Sequence, residues 1–246
     1  MANYSTEQIR NIVLIGHGSS GKTTLAESML FNTGVLTRRG RVEDGTTVAD
    51  WDDEAIRRRI SVMAAVAPCE YKGVKINVLD TPGFIDFVGE VKGAVSVADA
   101  ALVLVDPVSG VEVGTELGWG YLDERSLPRA ILVNKMDREN ARFQQVIENL
   151  RGAFSGTIVA VQLPIGEGSE FKGVVDLVSM KAYQGEGATA SDIPANMTEE
   201  VESARTQLIE AAAEGDDELI MKYLDGEELT AEEINRGLRA GINNGT

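Results

Sequence analysis

An α/β fold with an open, doubly wound, mostly parallel sheet is predicted for this 246-residue chain by three observations. Apolar runs of strand length alternate with stretches of helical spacing over residues 1–156. Three of these runs, Ile12-Val13-Leu14-Ile15, Val74-Lys75-Ile76-Asn77-Val78-Leu79 and Ala130-Ile131-Leu132-Val133, each deliver a polar motif at the carboxyl end, the edge where open α/β sheets bind ligands. The first motif, Gly16-His17-Gly18-Ser19-Ser20-Gly21-Lys22-Thr23-Thr24, has the G-x-x-x-x-G-K-[ST] spacing of a phosphate-binding loop. Together they predict a P-loop NTPase core over residues 1–156; past Gly156 the pattern changes, and 157–246 reads as a second, acidic α+β segment.

Each element has its own sequence signal. Leu25 to Phe31 is helically spaced and stops near Gly34. Gly34 to Arg59 is a long polar connection, read as a switch region that nucleotide orders. Ser61–Val66 and Val74–Leu79 read as paired strands joined through Glu70-Tyr71-Lys72-Gly73. Phe87–Ala98 and Glu112–Glu124 read as helices, and the apolar run Ala100–Val105 as a fully buried strand. Beyond Gly156, Thr157–Ile165 and Gly173–Val178 are strand-like, with a glycine-rich turn at Gly185-Glu186-Gly187. Three acidic helices follow: Thr198 caps one through Ala213, Asp216 one through Tyr223, and Thr230 with Glu233 forms a capping box for the third.

Composition narrows the partners. Hydrophobic residues make up 43% of the chain, enough for a packed core. The formal charge of −16 repels phosphate backbones, so this chain is not expected to bind nucleic acid directly. The amino terminus from Met1 to Thr6 lacks a secretory layout and no apolar run is long enough to span a bilayer, so the expectation is a monomeric cytoplasmic protein with no membrane partner. With one cysteine, Cys69, and one histidine, His17, a nitrogen- and sulfur-ligated zinc site is missing, and any metal would be oxygen-ligated. Acidic residues crowd the carboxyl third, as a solvated face or as a docking face for a basic partner.

The motifs carry the chemistry. Backbone N–H groups from Gly16 to Gly21, with the helix opening at Gly21, would cradle phosphate, Lys22 would reach the terminal phosphates, and Thr23 would hold Mg²⁺. Asp80 in Asp80-Thr81-Pro82-Gly83 is placed to hold Mg²⁺ through water, while Gly83 can swing its N–H toward a terminal phosphate. In Asn134-Lys135-Met136-Asp137, Asp137 would accept from the N1–H and exocyclic amine of guanine, Asn134 would brace the loop, and the Lys135 stem would lie over the base. The expected ligands are therefore GTP or GDP with Mg²⁺.

These three motifs in order resemble those of a translational GTPase. Asn134 to Phe143, Val105 to Glu112 and Asp86-Phe87-Val88-Gly89-Glu90-Val91 are more specifically similar to elongation factor G, across essentially the whole chain. The resemblance makes residues 157–246 an inserted acidic α+β subdomain and the start of the return to the core. It implies that the full-length protein works on the ribosome and that the acidic insertion touches a ribosomal stalk protein. It also implies catalytic parts at Gly83, Ser61 and Lys22, with Ser61 joining Thr23 and Asp80 as a metal ligand.

Three positions depart from that family. Phe84 stands where a water-orienting histidine is usual, which predicts slow or absent hydrolysis. Arg58-Arg59-Ile60-Ser61 replaces Arg-Gly-Ile-Thr, and Ser19 replaces a frequent aspartate, which weakens any monovalent-cation site. These departures resemble an elongation factor G-like paralogue group. Gly241 to Thr246 ends where the sheet's last strand and helix should begin, and Ser203-Ala204 lies in a helix and is not a guanine-closing loop. The chain is thus expected to be an amino-terminal fragment with reduced nucleotide affinity. A non-hydrolysing GTP/GDP sensor and a ribosome protection or splitting factor stay open as alternatives.

Overall fold

The computed structural model describes residues 4–185 and 187–244. Met1 to Asn3, Glu186 of the glycine-rich turn, and Gly245 and Thr246 of the chain's end lie outside the described residues. The fold is mixed α/β and divides into two compact units, Met1–Asn134 and Lys135–Thr246.

The first unit runs β1 (Ile9–Ile15), α1 (Lys22–Asn32), α2 (Asp53–Arg58), β2 (Ala65–Tyr71), β3 (Val74–Asp80), α3 (Val88–Val97), β4 (Ala100–Val105), α4 (Val113–Asp123) and β5 (Arg129–Val133). Its sheet has the order β2-β3-β1-β4-β5, with β2 antiparallel to β3 and the other pairings parallel. Parallel pairing brings the carboxyl ends of β1, β3 and β5 to one edge, and register sets Leu14 beside Asp80. Leu14, Val78 and Leu104, all fully buried, pack with Ala26 and Leu30 of α1, so the first helix is seated on the sheet by its apolar face. The β2–β3 turn is Lys72-Gly73, with φ of +49° and +78°, the double left-handed conformation whose twist matches a two-residue hairpin. Pro68 is tolerated because β2 is an edge strand.

Two expectations in this unit are revised. The strand expected from Ser61 begins only at Ala65, because Ser61 is bonded to α1 and Ala64 donates its N–H to Glu90 of α3 at 2.8 Å. The polar connection also contains helix α2, capped by Asp52, whose side chain accepts from Glu54 N at 2.9 Å. Six residues with Ala55 and Ile56 as the apolar positions are too few to register a helical period. Helix α2 ends at Arg59 in the left-handed region (φ +58°, ψ +39°), the position where the resembled family carries glycine.

The second unit runs α5 (Phe143–Ala153), β6 (Gln162–Ile165), β7 (Gly173–Asp176), β8 (Lys181–Gln184), β9 (Thr189–Ser191), α6 (Thr198–Glu214), α7 (Asp217–Leu224) and α8 (Ala231–Asn244). Its four strands form a separate antiparallel sheet in sequence order. The strand expected from Thr157 starts at Gln162. Thr198 is the first residue of α6 rather than its cap, and its hydroxyl donates to Ala195 O. Asp216 does cap α7, accepting from Glu218 N and Leu219 N, and Thr230 and Glu233 exchange the two bonds of a capping box. Helices α6 and α8 touch at Gly237, where a Cβ would lie 2.0 Å from Ala212 O. Among the described residues no helix is long and apolar enough to cross a membrane.

Because a non-glycine residue in the left-handed region costs about 1–2 kcal/mol, offset in part by the greater unfolded-state freedom of glycine, Arg59→Gly is expected to stabilise the chain by about 0.5–1 kcal/mol. Chemical denaturation of both proteins measures this; equal or lower stability of the variant would show that Arg59 gains more elsewhere than it loses at φ.

Candidate functional site

The loop between β1 and α1 is shaped by close approaches. A Cβ at Gly16 (φ +151°) would lie 2.5 Å from Leu104 O, so only glycine lets the chain leave β1 along this path. Ser19 takes φ +63°, and Gly21, at φ +100°, is the N-cap of α1. Lys22, 5% exposed, turns back over the loop and donates to Gly16 O and His17 O, both at 2.9 Å. Gly114 N at the start of α4 donates to His17 Nδ1 at 3.2 Å, and Nε2 lies 3.7 Å from the Glu112 carboxylate. Asn134 Nδ2 donates to Ser20 O at 2.9 Å, tying the end of β5 to the phosphate loop. Ser20 Oγ is buried with no hydrogen-bond partner, and Thr24 is exposed on the outer side of α1.

Below the loop three segments meet at Thr23. Its Oγ1 donates to Asp80 Oδ2 at 2.7 Å, at the end of β3, and lies 3.0 Å from Ser61 Oγ. With Thr23's single proton engaged by the carboxylate, Ser61 is the donor in the second bond. Asp80 is 1% exposed and its Oδ1 has no partner. Burial pushes its carboxyl up to about 6; the Thr23 hydrogen bond and the Lys22 ammonium pull it down, and the charges of Asp50 and Glu27 push it up again. Two hydroxyls and a carboxylate with a free oxygen form a hard-oxygen donor set, the kind that suits Mg²⁺.

The segment after β3 is pressed onto the loop. Thr81 Oγ1 donates to Leu14 O at 2.6 Å, fixing the turn to β1. A Cβ at Gly83 would come within 2.6 Å of Lys22 Nζ and 2.7 Å of Gly18 N, so only glycine fits against the Lys22 ammonium and the Gly18 amide. The Phe84 ring lies over Gly18, where an added Cβ would be 3.0 Å from its Cζ. Its other side borders a cleft of about 690 Å³ whose apolar walls include Ile60, Val62 and Phe87. No group on that ring can hold water.

The remaining sequence motif continues into the second unit. Lys135 adopts φ +58°, Gly168 N donates to Met136 O at 2.8 Å, and Asp137 is exposed. Met136 is 7% exposed, so the loop is pinned through its apolar residue, with Lys135 half-buried before it and Asp137 at the surface after it.

Three polar contacts are absent from the sequence expectations: Thr81 with Leu14, the His17 bridge to Gly114, and Glu27, a fully buried carboxylate on α1. Glu27 carried a signal, since it lies four residues after Thr23 on the buried helical face, where a charge demands partners.

The raised carboxyl of Asp80 sets a pH dependence. The folded state holds the proton more tightly than the unfolded state, so this group favours folding at low pH, and that contribution is lost as pH rises from 3.8 through about 6. Without metal, Asp80→Asn is expected to be more stable than the parent above pH 7, by up to about 3 kcal/mol, and to lose that advantage near pH 4. Denaturation midpoints across this range measure it; a constant difference would remove Asp80 as the titrating group.

Two comparisons agree with this geometry. A family model described as the elongation factor Tu GTP binding domain matches residues 7–226. A crystal structure of a protein from Thermus thermophilus superposes with a TM-score of 0.91 at 40% sequence identity, covering 97% of this chain and 36% of that one, so the chain spans about a third of that protein's length. A match over most of the sequence, joined to a phosphate loop and a hard-oxygen site at the same sheet edge, places the chain in the elongation factor Tu GTP-binding domain family, the guanine-nucleotide-binding domain of translational GTPases.

Proposed function

We propose that this chain is the GTP-binding switch domain of an elongation factor G-like, ribosome-associated translation factor in which hydrolysis is slow. The observation that carries the reading is the meeting at Thr23 of the phosphate loop, the Ser61 segment and Asp80, three stretches far apart in sequence. Gly16 to Thr24 would bind the phosphates, with Lys22 exchanging its loop carbonyls for phosphate oxygens. Thr23, Ser61 and Asp80 would hold Mg²⁺, whose positive charge offsets that of the phosphates. Gly83 would offer its N–H where the terminal phosphate arrives, and it must first move off Gly18 and Lys22. Asn134, Lys135 and Asp137 would form the guanine-reading wall, with Asp137 supplying the paired acceptors that exclude adenine.

Phe84 favours a second reading, a GTP/GDP sensor that does not turn its nucleotide over. A ring against Gly18 shields the loop but can neither accept nor donate the hydrogen bond that aligns an attacking water. The acidic helices support a partner role for the second unit: α7 exposes Met221 and Leu224 at 61% and 72%, beside Asp217, Glu218 and Asp225. An apolar strip with an acidic rim suits a basic ribosomal stalk protein. In this reading the domain is monomeric and cytoplasmic, and the ribosome is met through the full-length protein.

Titration with GDP tests the phosphate loop: Lys22→Ala is expected to abolish binding, and an unchanged isotherm would reject the assignment. In the same assay Asp137→Asn is expected to shift preference from guanine toward xanthine, whose C2 oxygen replaces the amine; retention of guanine preference would take Asp137 out of the base pocket. Single-turnover GTP cleavage by the full-length protein on ribosomes separates switch from sensor. Phe84→His is expected to raise the rate by about two to four orders of magnitude, whereas ordinary translational rates in the parent would sink both the slow-hydrolysis and the sensor readings.

A further inference from the structure

Glu27 is a buried carboxylate with an arrangement that nucleotide binding does not explain. It is 1% exposed on α1, one turn beyond Thr23, and its two oxygens accept from two points on the long polar segment: Gly40 N to Oε2 at 2.9 Å and Val48 N to Oε1 at 2.6 Å. The approach is tight. A Cβ at Gly40 would lie 2.8 Å from Glu27 Oε2 and 2.4 Å from Thr46 O, so the segment closes on α1 only through a glycine. Between the two anchors the chain folds on itself, with Arg41 N donating to Thr46 Oγ1, and Thr47 Oγ1 donates across the second anchor to Asp50 at 3.3 Å. The same segment continues through α2 to Ser61, which meets Thr23 one turn back along α1. One helical face therefore grips the end and the middle of the 34–61 excursion, by a hydroxyl at one turn and a carboxylate at the next.

We propose that Glu27 is a positioning residue, a latch that holds the 34–50 segment closed on α1 and so keeps Ser61 at Thr23. A charged acceptor shared by two backbone donors is stronger than neutral bonds, and each donor is left unpaired if the carboxylate is removed. The consequence is specificity between nucleotide states. A triphosphate with Mg²⁺ draws on Ser61 and gains from a segment already closed; a diphosphate draws on the phosphate loop and gains little. The latch thus rests on the GTP-binding reading for its effect, and on geometry alone for its existence.

The two are tested separately with the whole chain. Amide exchange by NMR without nucleotide compares the parent with Glu27→Gln, which keeps the shape but turns an N–H₂ toward one donor. Exchange at Gly40 and Val48 is expected to accelerate about 10–100-fold with the amides of α1 and the sheet unchanged. Unaltered exchange at both, or acceleration throughout the first unit, overturns the latch. Titration with GDP and with a non-hydrolysable GTP analogue in Mg²⁺ then reads the effect: the variant is expected to lose about fivefold or more of its preference for the triphosphate, with GDP affinity within about twofold of the parent. Equal losses for both nucleotides would make Glu27 merely structural. Gly40→Ala, which drives the segment off Glu27 without touching the core, is expected to give the same pattern, and a parent-like ratio in it counts against the proposal. If the parent binds neither nucleotide, the GTP reading and the predicted preference both fall, while the exchange result still decides the latch.

Discussion

The hydrogen bond from Thr23 to Asp80 is the constraint on which the first unit's functional edge depends. It joins the first turn of α1 to the last residue of β3 at 2.7 Å, in a place almost closed to solvent. A carboxylate so placed is costly unless it is satisfied, and here only one of its oxygens is. The sheet supplies the reason it can persist: parallel pairing of β3 with β1 fixes Asp80 beside Leu14, and the seating of α1 on the core fixes Thr23 opposite it. Neither side chain can relax away without unseating an element. The result is a buried carboxylate oxygen with no hydrogen-bond partner, held in place by rigid neighbours.

The same geometry explains why the polar connection is ordered. Its end reaches Thr23 through Ser61 and its middle reaches Glu27, so α1 serves as a template for a segment with little apolar content of its own. Such a segment owes its position to a few directed bonds together with the burial of Ala49 and Ala55 and the packing of Leu36 on the core. Elements of that kind open at lower cost than the sheet they lie on, and this is the property that lets a loop answer to a ligand.

Much of the fold was legible because its signals are local. The strand runs at Ala100 and Ala130, the end of α1 near Gly34, the Lys72-Gly73 turn, and the Asp216 and Thr230 caps follow from the residues that occupy them. The phosphate loop and Asp80 were legible for the same reason, since glycine spacing and a carboxylate at a strand's end carry their own geometry. What the sequence concealed was decided by tertiary contacts. Helix α2 is too short for a period, Ser61 leaves the strand pattern because Thr23 claims its hydroxyl, and Thr198 is displaced from the cap position by a bond to Ala195. Glu27 and Thr81 look like ordinary helix and turn residues until the backbone groups they satisfy, from distant stretches, are in view.

Gly83 packs so closely on the loop that no side chain fits there: an added Cβ would lie 2.6 Å from Lys22 Nζ and 2.7 Å from Gly18 N. In the proposed GTP-binding reading, that amide and that ammonium are the groups an incoming phosphate would use, so the turn and the phosphate would compete for one space. An attached competitor has no concentration to dilute; its occupancy is fixed by the free energy of the turn that carries it. The apparent affinity for any ligand needing that space is the intrinsic affinity multiplied by the fraction of molecules in which Gly83 has moved aside. Ligands that leave the space alone escape this factor. In that reading, discrimination between nucleotides that differ by one phosphate would be written into the stability of a four-residue turn, Asp80 to Gly83.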